Sequence, residues 1–145
     1  MRFKRRLVSL VGVAAVCFGQ AFAQTIVVTS LDDSGPGTLR NAVASAGDGA
    51  TITFDPSLHG QLILRSRITV SKNLSIYGPA SGGVKIYGYN YFHPPNSAGL
   101  FGIDTLCNVT LRNLTMIGGS GSEEPGGGGI LNRGALLLDT CEISD

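Results

Sequence analysis

The chain predicts an all-β fold: a parallel β-helix, or solenoid, closed at its N-terminal end by one short helix. Three observations carry this. First, two segments superpose at an offset of 27 residues: Gly102-Ile103 falls on Gly129-Ile130, and Val109, Leu111, Leu114 and Met116 fall on Leu136, Leu138, Cys141 and Ile143. A self-match of this period points to one unit stacked on its copy, each burying apolar side chains only against its neighbours. Second, the apolar spacing within the unit is two, then three, then two. Side chains two apart in a strand share a face, so the spacing of three marks a corner between short strands that face one interior. Third, Ile68, Asn73, Leu74 and Ile76 fall on Ile103, Asn108, Val109 and Leu111 at an offset of 35. This is an earlier coil with a longer loop, and the extra length is assigned to residues 87–98.

Residues 1–23 read as a secretory signal. Arg2, Lys4, Arg5 and Arg6 precede a mostly apolar run from Leu7 to Gly19, and Ala21-Phe22-Ala23 places small residues where a signal peptidase cleaves, before Gln24. The apolar run is short for a membrane span, and no later stretch reaches the length of one. Cleavage removes four of the 11 basic residues and none of the 10 acidic ones, leaving 7 against 10 and a net charge of −3. A weakly acidic secreted chain has no electrostatic footprint for nucleic acid or anionic lipid. The location expected is extracellular or in the cell envelope.

Residues 24–50 read as an N-terminal cap. Thr25 to Thr29 form a strand by β-branching. A turn cluster follows at residues 32–37, then Leu39, Ala42, Val43 and Ala46 lay one apolar stripe on a short helix, with Thr38 as N-cap and Gly47 as stop. An amphipathic helix at the end of a stacked coil would shield its open strand edges. From residue 51 to 145 the strands come in short bursts, with inward pairs Ile52/Phe54, Leu62/Leu64, Ile68/Val70, Leu74/Ile76 and Val84/Ile86. Three to four coils are expected. Register equivalence puts Arg112 beside Asp139, one rung apart, and Asn113 beside Thr140. Asp145 falls where Gly118 stands one coil earlier, so a partial reading frame is suspected, with further coils or a surface anchor expected beyond it.

The run TIVVTSLDDSGPGTLRNAV from Thr25 to Val43, followed by GDGATITFDP from Gly47 to Pro56, resembles the N-terminal region of secreted bacterial right-handed β-helix repeat proteins. That group includes chains opening on the CSLREA motif and is similar in style to polymorphic outer-membrane proteins and large adhesins. The likeness covers essentially the whole mature chain. Gly37 stands where the motif has Cys, and Asn41 where it has Glu. The resemblance implies a right-handed sense and an envelope or extracellular role, and it implies no defined catalytic residues.

Catalysis is weighed against packing. Cleaving a glycosidic bond by hydrolysis wants two carboxyl groups flanking it. Asp104 aligns with Leu131 and Asp139 with Arg112, on different columns, while Glu123 and Glu124 sit in a glycine-rich loop. A lyase wants a basic residue beside acids that hold calcium, and Arg65, Arg67 and Lys72 are read as solvated outer-face residues. His59 and His93 are isolated, nothing resembles a CxxC pair, and Cys107 and Cys141 are read as unpaired, with Cys141 a small core residue. No catalytic residue, metal ligand or cofactor is therefore assigned. Asn73, Asn108 and Asn113 open Asn-x-Ser/Thr triplets and are read as corner residues. The surface singled out for ligand contact is the aromatic run with Tyr87, Tyr89, Tyr91 and Phe92, where rings on one face could stack on sugars or bury in a partner. The alternative is that they pin their own loop. The function expected is an adhesin-like or structural surface module that binds glycan or protein. The alternative is the N-terminal part of a polysaccharide lyase or glycoside hydrolase.

Overall fold

The computed structural model of the protein describes residues 23–89, 99–119 and 128–144. In chain order the elements are β1 (Thr25–Val28), α1 (Leu39–Ser45), β2 (Ala50–Phe54), β3 (Gly60–Leu64), β4 (Ile68–Val70), β5 (Leu74–Tyr77) and β6 (Val84–Gly88). They continue with β7 (Phe101–Ile103), β8 (Asn108–Arg112), β9 (Thr115–Ile117), β10 (Ile130–Asn132), β11 (Ala135–Asp139) and β12 (Glu142–Ser144). Every strand pairing is parallel. Sheet A has the order β1-β2-β5-β8-β11, sheet B the order β3-β6-β9-β12 and sheet C the order β4-β7-β10. Each coil runs from A to B to C, about four turns in all, so the expected parallel β-helix is the fold.

Alternation places one apolar set inside every strand. On sheet A, Ile26, Ile52, Ile76, Leu111 and Leu138 form one inner column. On sheet B, Leu62, Ile86, Met116 and Ile143 form another. Ile52, Leu62, Ile76, Ile86, Leu111 and Met116 are all fully buried, and each such side chain contributes roughly 1.5–3 kcal/mol. On the outermost described rung Leu138 and Ile143 are 41% and 48% exposed.

The helix forms as its pattern predicts. Thr38 caps it, its hydroxyl accepting from the Asn41 N–H at 3.3 Å, and Leu39, Ala42, Val43 and Ala46 are buried in the core. It packs against β1 and β4. Lys72 reaches back from the first coil and donates to the Ala44 and Ala46 carbonyls at 3.2 and 2.6 Å, a cation on the C-terminal end of the helix where orphan carbonyls need donors.

Between β8 and β11 and between β9 and β12 the register is the expected 27, with Val109 on Leu136, Leu111 on Leu138 and Met116 on Ile143. Arg112 pairs with Asp139 at 3.0 Å, as expected. Sheet C departs from it. Ile130 pairs with Phe101 and Asn132 with Ile103, an offset of 29, and Ile68 pairs with Phe101, an offset of 33. The matches of Ile103 with Ile130 and with Ile68 are both displaced by two, and Leu131 lies opposite Gly102 rather than Asp104. The cause is the corner at residues 104–107: five residues separate Ile103 from Val109, against three between their partners Val70 and Leu74 and three between Asn132 and Leu136. Leu106, within that longer corner, has φ of 66° and is 95% exposed.

The long second coil also differs from expectation. Ile86 lies 12 residues after Leu74, whereas its stacked partner Met116 lies 7 after Val109. Most of the extra length is thus in the glycine-rich corner at 78–83, not at 87–98. Asn73 and Asn113 sit at corners as expected, while Asn108 is the first residue of β8. Asn113 and Thr140, stacked one rung apart between sheets A and B, have φ of 52° and 54°. Asn73 and Asn108 form a ladder at the entry to sheet A. The Asn108 N–H donates to Asn73 Oδ1 at 2.8 Å, and the Asn73 N–H to Asp48 Oδ1 at 2.9 Å. Cys107 and Cys141 are free thiols. The first is buried, and the second packs on the core with its Sγ 3.3 Å from the Leu111 carbonyl.

Candidate functional site

Sheet B ends on a rim where two successive coils leave it. In the first coil the chain turns through Arg65, Ser66 and Arg67 into β4; in the second it leaves β6 through Tyr89. Because Leu64 pairs with Gly88, the next residues, Arg65 and Tyr89, are neighbours one rung apart. The Arg65 guanidinium stands over the Tyr89 ring with its carbon 5.5 Å from the centroid. Both side chains face solvent, Tyr89 at 43% exposure. A cation over an aromatic face at this distance is worth about 0.5–1 kcal/mol at an exposed site.

Alternation fixes the rest of the rim. Val84, Ile86 and Gly88 face inward, so Lys85 and Tyr87 face out. Tyr87 lies between Ile63 and Ile117 on the neighbouring strands, and Ile63 is 46% exposed. The outer face of sheet B therefore presents an apolar ladder that ends on the Arg65–Tyr89 pair. The Tyr89 N–H donates to the Leu64 carbonyl at 2.7 Å, which holds the ring at the edge of the sheet. Of the four residues singled out from sequence, Tyr87 and Tyr89 come together here. Tyr91 and Phe92 lie outside the described residues, as do Glu123, Glu124 and nearly all of the signal segment.

The reading of Arg65, Arg67 and Lys72 as solvated outer-face residues holds for Arg65, which is exposed, and needs correction for Arg67 and Lys72, which are half-buried. Arg65 covers a ring, Lys72 caps the helix, and Arg67 is half-buried against two glycines. A Cβ at Gly99 would stand 2.7 Å from its Nε, and one at Gly102 2.9 Å from its Cδ. Glycine at both places leaves room for the arginine to lie on the face of sheet C. Sequence reasoning missed the Arg65–Tyr89 pair because the residues are 24 apart. The same offset relates Leu62 to Ile86, and reading it as a coil would have found them.

Four carboxylates are engaged separately. Asp33 pairs with Arg40 at 2.7 Å and Asp139 with Arg112. Asp48 is held below the usual carboxylate range by the side-chain and backbone amides of Asn73, and Asp55 likewise by the hydroxyl and N–H of Ser57. Among the described residues no three His, Cys, Asp or Glu side chains gather as a metal site. No helix among them is long and apolar enough to cross a membrane. A flat ring accepts the C–H face of a sugar, and a guanidinium offers a planar fork to a carboxylate.

No family model and no solved structure matches the chain. Curated proteins do. Over 79 residues, 53% of this chain, it is 38% identical to the probable pectate lyase C of Neosartorya fischeri and to that of Aspergillus fumigatus, and 35% identical to that of Aspergillus flavus. The match takes in 18% of each relative, so the chain spans less than a fifth of the curated proteins it matches. A partial likeness to pectate lyases thus accompanies a parallel β-helix.

Proposed function

We propose that the chain is part of a secreted β-helix protein of the polysaccharide-lyase kind, and that it binds a pectate-type polysaccharide along the rim formed by Arg65, Tyr87 and Tyr89. The observation that supports this best is the 38% identity over 79 residues to proteins named as pectate lyases. The rim adds a chemical reason: uronate units carry both a ring face for tyrosine and a carboxylate for arginine. Asp33, Asp48, Asp55 and Asp139 are each engaged by a separate partner rather than gathered in one cluster, which favours binding over bond cleavage in the described part of the chain. An adhesin-like role is the second reading, favoured by the apolar ladder in which exposed Ile63 lies beside half-buried Tyr87.

The test is to incubate the full chain with polygalacturonate, measuring the dissociation constant and following unsaturated ends. Binding that Tyr89→Ala weakens about fivefold or more, in keeping with the cost of losing an aromatic platform of about 1 kcal/mol, is the result expected. Release of unsaturated ends would extend the reading to catalysis. No binding, or binding indifferent to Tyr89→Ala and Arg65→Ala together, would remove it.

A further inference from the structure

We propose that Asp33 and Arg40, in the N-terminal segment, are positioning residues for the ligand-binding rim, setting where Arg65 stands over Tyr89; the inference rests on the reading of that rim as the binding surface. The need for such a device follows from topology. β3 and β4 are the terminal strands of sheets B and C, so the corner joining them, Arg65-Ser66-Arg67, has no strand pair beneath it. Here the polar backbone of the first corner must find other partners.

Asp33 and Arg40 supply them. Asp33 Oδ1 accepts the Arg65 N–H at 3.2 Å, while Arg40 donates to the Ser66 carbonyl at 2.6 Å and the Arg67 carbonyl at 3.2 Å. The two side chains also hold each other. Arg40 Nη2 lies 2.7 Å from the same Asp33 Oδ1, and its Nε donates to the Asp33 carbonyl at 3.2 Å. The pair is largely shielded, with side chains 26% and 18% exposed, so water competes less for its bonds than on an open surface. One carboxylate oxygen thus links the arginine on the helix to the amide of the arginine over the ring. The guanidinium thus serves three carbonyls and a carboxylate at once, more acceptors than the three donors of a lysine could satisfy. Asp33 acts through the Arg65 amide, and Arg40 through Asp33 and the two residues that follow Arg65.

The experiment uses the full chain and two readouts. Nuclear magnetic resonance follows the ring-current shift of the Arg65 δ protons caused by Tyr89, and a titration with polygalacturonate gives affinity. Asp33→Ala is expected to return the Arg65 signals toward open-chain values and to weaken binding about fivefold, the equivalent of one hydrogen bond's net contribution. Asp33→Asn, which keeps an acceptor for the Arg65 N–H, should restore most of both. If Asp33→Ala unfolds the chain, Arg40→Lys, which keeps charge and loses the fork, should displace the same Arg65 signals. Unshifted Arg65 signals in the variant that stays folded would overturn the proposal. So would failure of Asp33→Asn to restore what a folded Asp33→Ala has lost. A wild-type chain that ignores polygalacturonate would defeat the pectate reading alone, because the proton shifts report on Arg65 without any ligand.

Discussion

Sheets A and C are laid down by the same coils, yet only sheet A keeps the register of the apolar repeat. In sheet A, Leu74, Val109 and Leu136 stack at offsets of 35 and 27, as the pattern demands. In sheet C the same coils pair at 33 and 29. The difference is two residues each time, and two is the one small number a strand can absorb. A slip of one would turn every inward side chain out; a slip of two leaves Ile103 facing the core opposite Val70 instead of Ile68. The corner at 104–107 thus lengthens without any cost to the interior. Corner length is free in steps that preserve parity, whereas column identity is not free at all.

The strongest way to break sheet A is to open a hole in its column. Leu111→Ala removes a side chain with no exposure, between Ile76 below and Leu138 above, and should cost about 3 kcal/mol, within the range of about 2–5 kcal/mol seen for buried leucines. Leu138→Ala, one rung away in the same column, should cost less than about 1 kcal/mol because that side chain is 41% exposed. Urea unfolding of both variants checks the ratio. Equal losses would mean that the rungs do not share one column.

A sharper test acts on the long corner. Deleting Thr105 and Leu106 together makes it as long as its neighbours and keeps parity, so stability should change by less than about 1 kcal/mol. The left-handed Leu106, a conformation costing about 1 kcal/mol for an L-residue, goes with it. Deleting Leu106 alone leaves an odd corner and should cost roughly 2 kcal/mol, since the strand or the turn must then distort. Parallel thermal melts decide it. Two deletions of equal effect would show that the corner, not the strand faces, sets the register.

This parity rule explains what was legible from the residues alone. Ile52, Ile76, Leu111 and Met116 could be placed inside because period-two alternation reports the face of a strand directly. The capping helix could be placed because Leu39, Ala42, Val43 and Ala46 share one stripe behind Thr38. Alternation is blind to slips of two, so the pairing of Ile103 could not be read from it, nor the place of the extra residues near Gly82. The rim was half legible. Tyr87 and Tyr89 stand out as rings, but Arg65 joins them only through the stacking of the first two coils, and nothing local to Arg65 marks it. Asp33 and Arg40 are a step further off, since their partners are backbone atoms that carry no residue-type signal.

The smallest expected effect concerns the ladder at the entry to sheet A. Asp48 accepts from both the N–H and the side-chain amide of Asn73, at 2.9 and 3.1 Å, and these bonds lower its pKa beneath the ordinary 3.8. A carboxylate depressed in the folded state stabilises the fold while it is charged in both states, that is, above 3.8. The contribution fades as pH falls through 3.8 toward the lower folded value, where both states hold the proton. The melting temperatures of the wild type and Asp48→Ala should therefore be separated at neutral pH and draw together as pH drops below 3.8. Asn108→Ala removes an uncharged rung of the same ladder and should lower the melting temperature by a similar amount at every pH. A wild-type advantage over Asp48→Ala that persisted unchanged into acid would show that the ladder holds sheet A by geometry alone and that the charge on Asp48 contributes nothing to it.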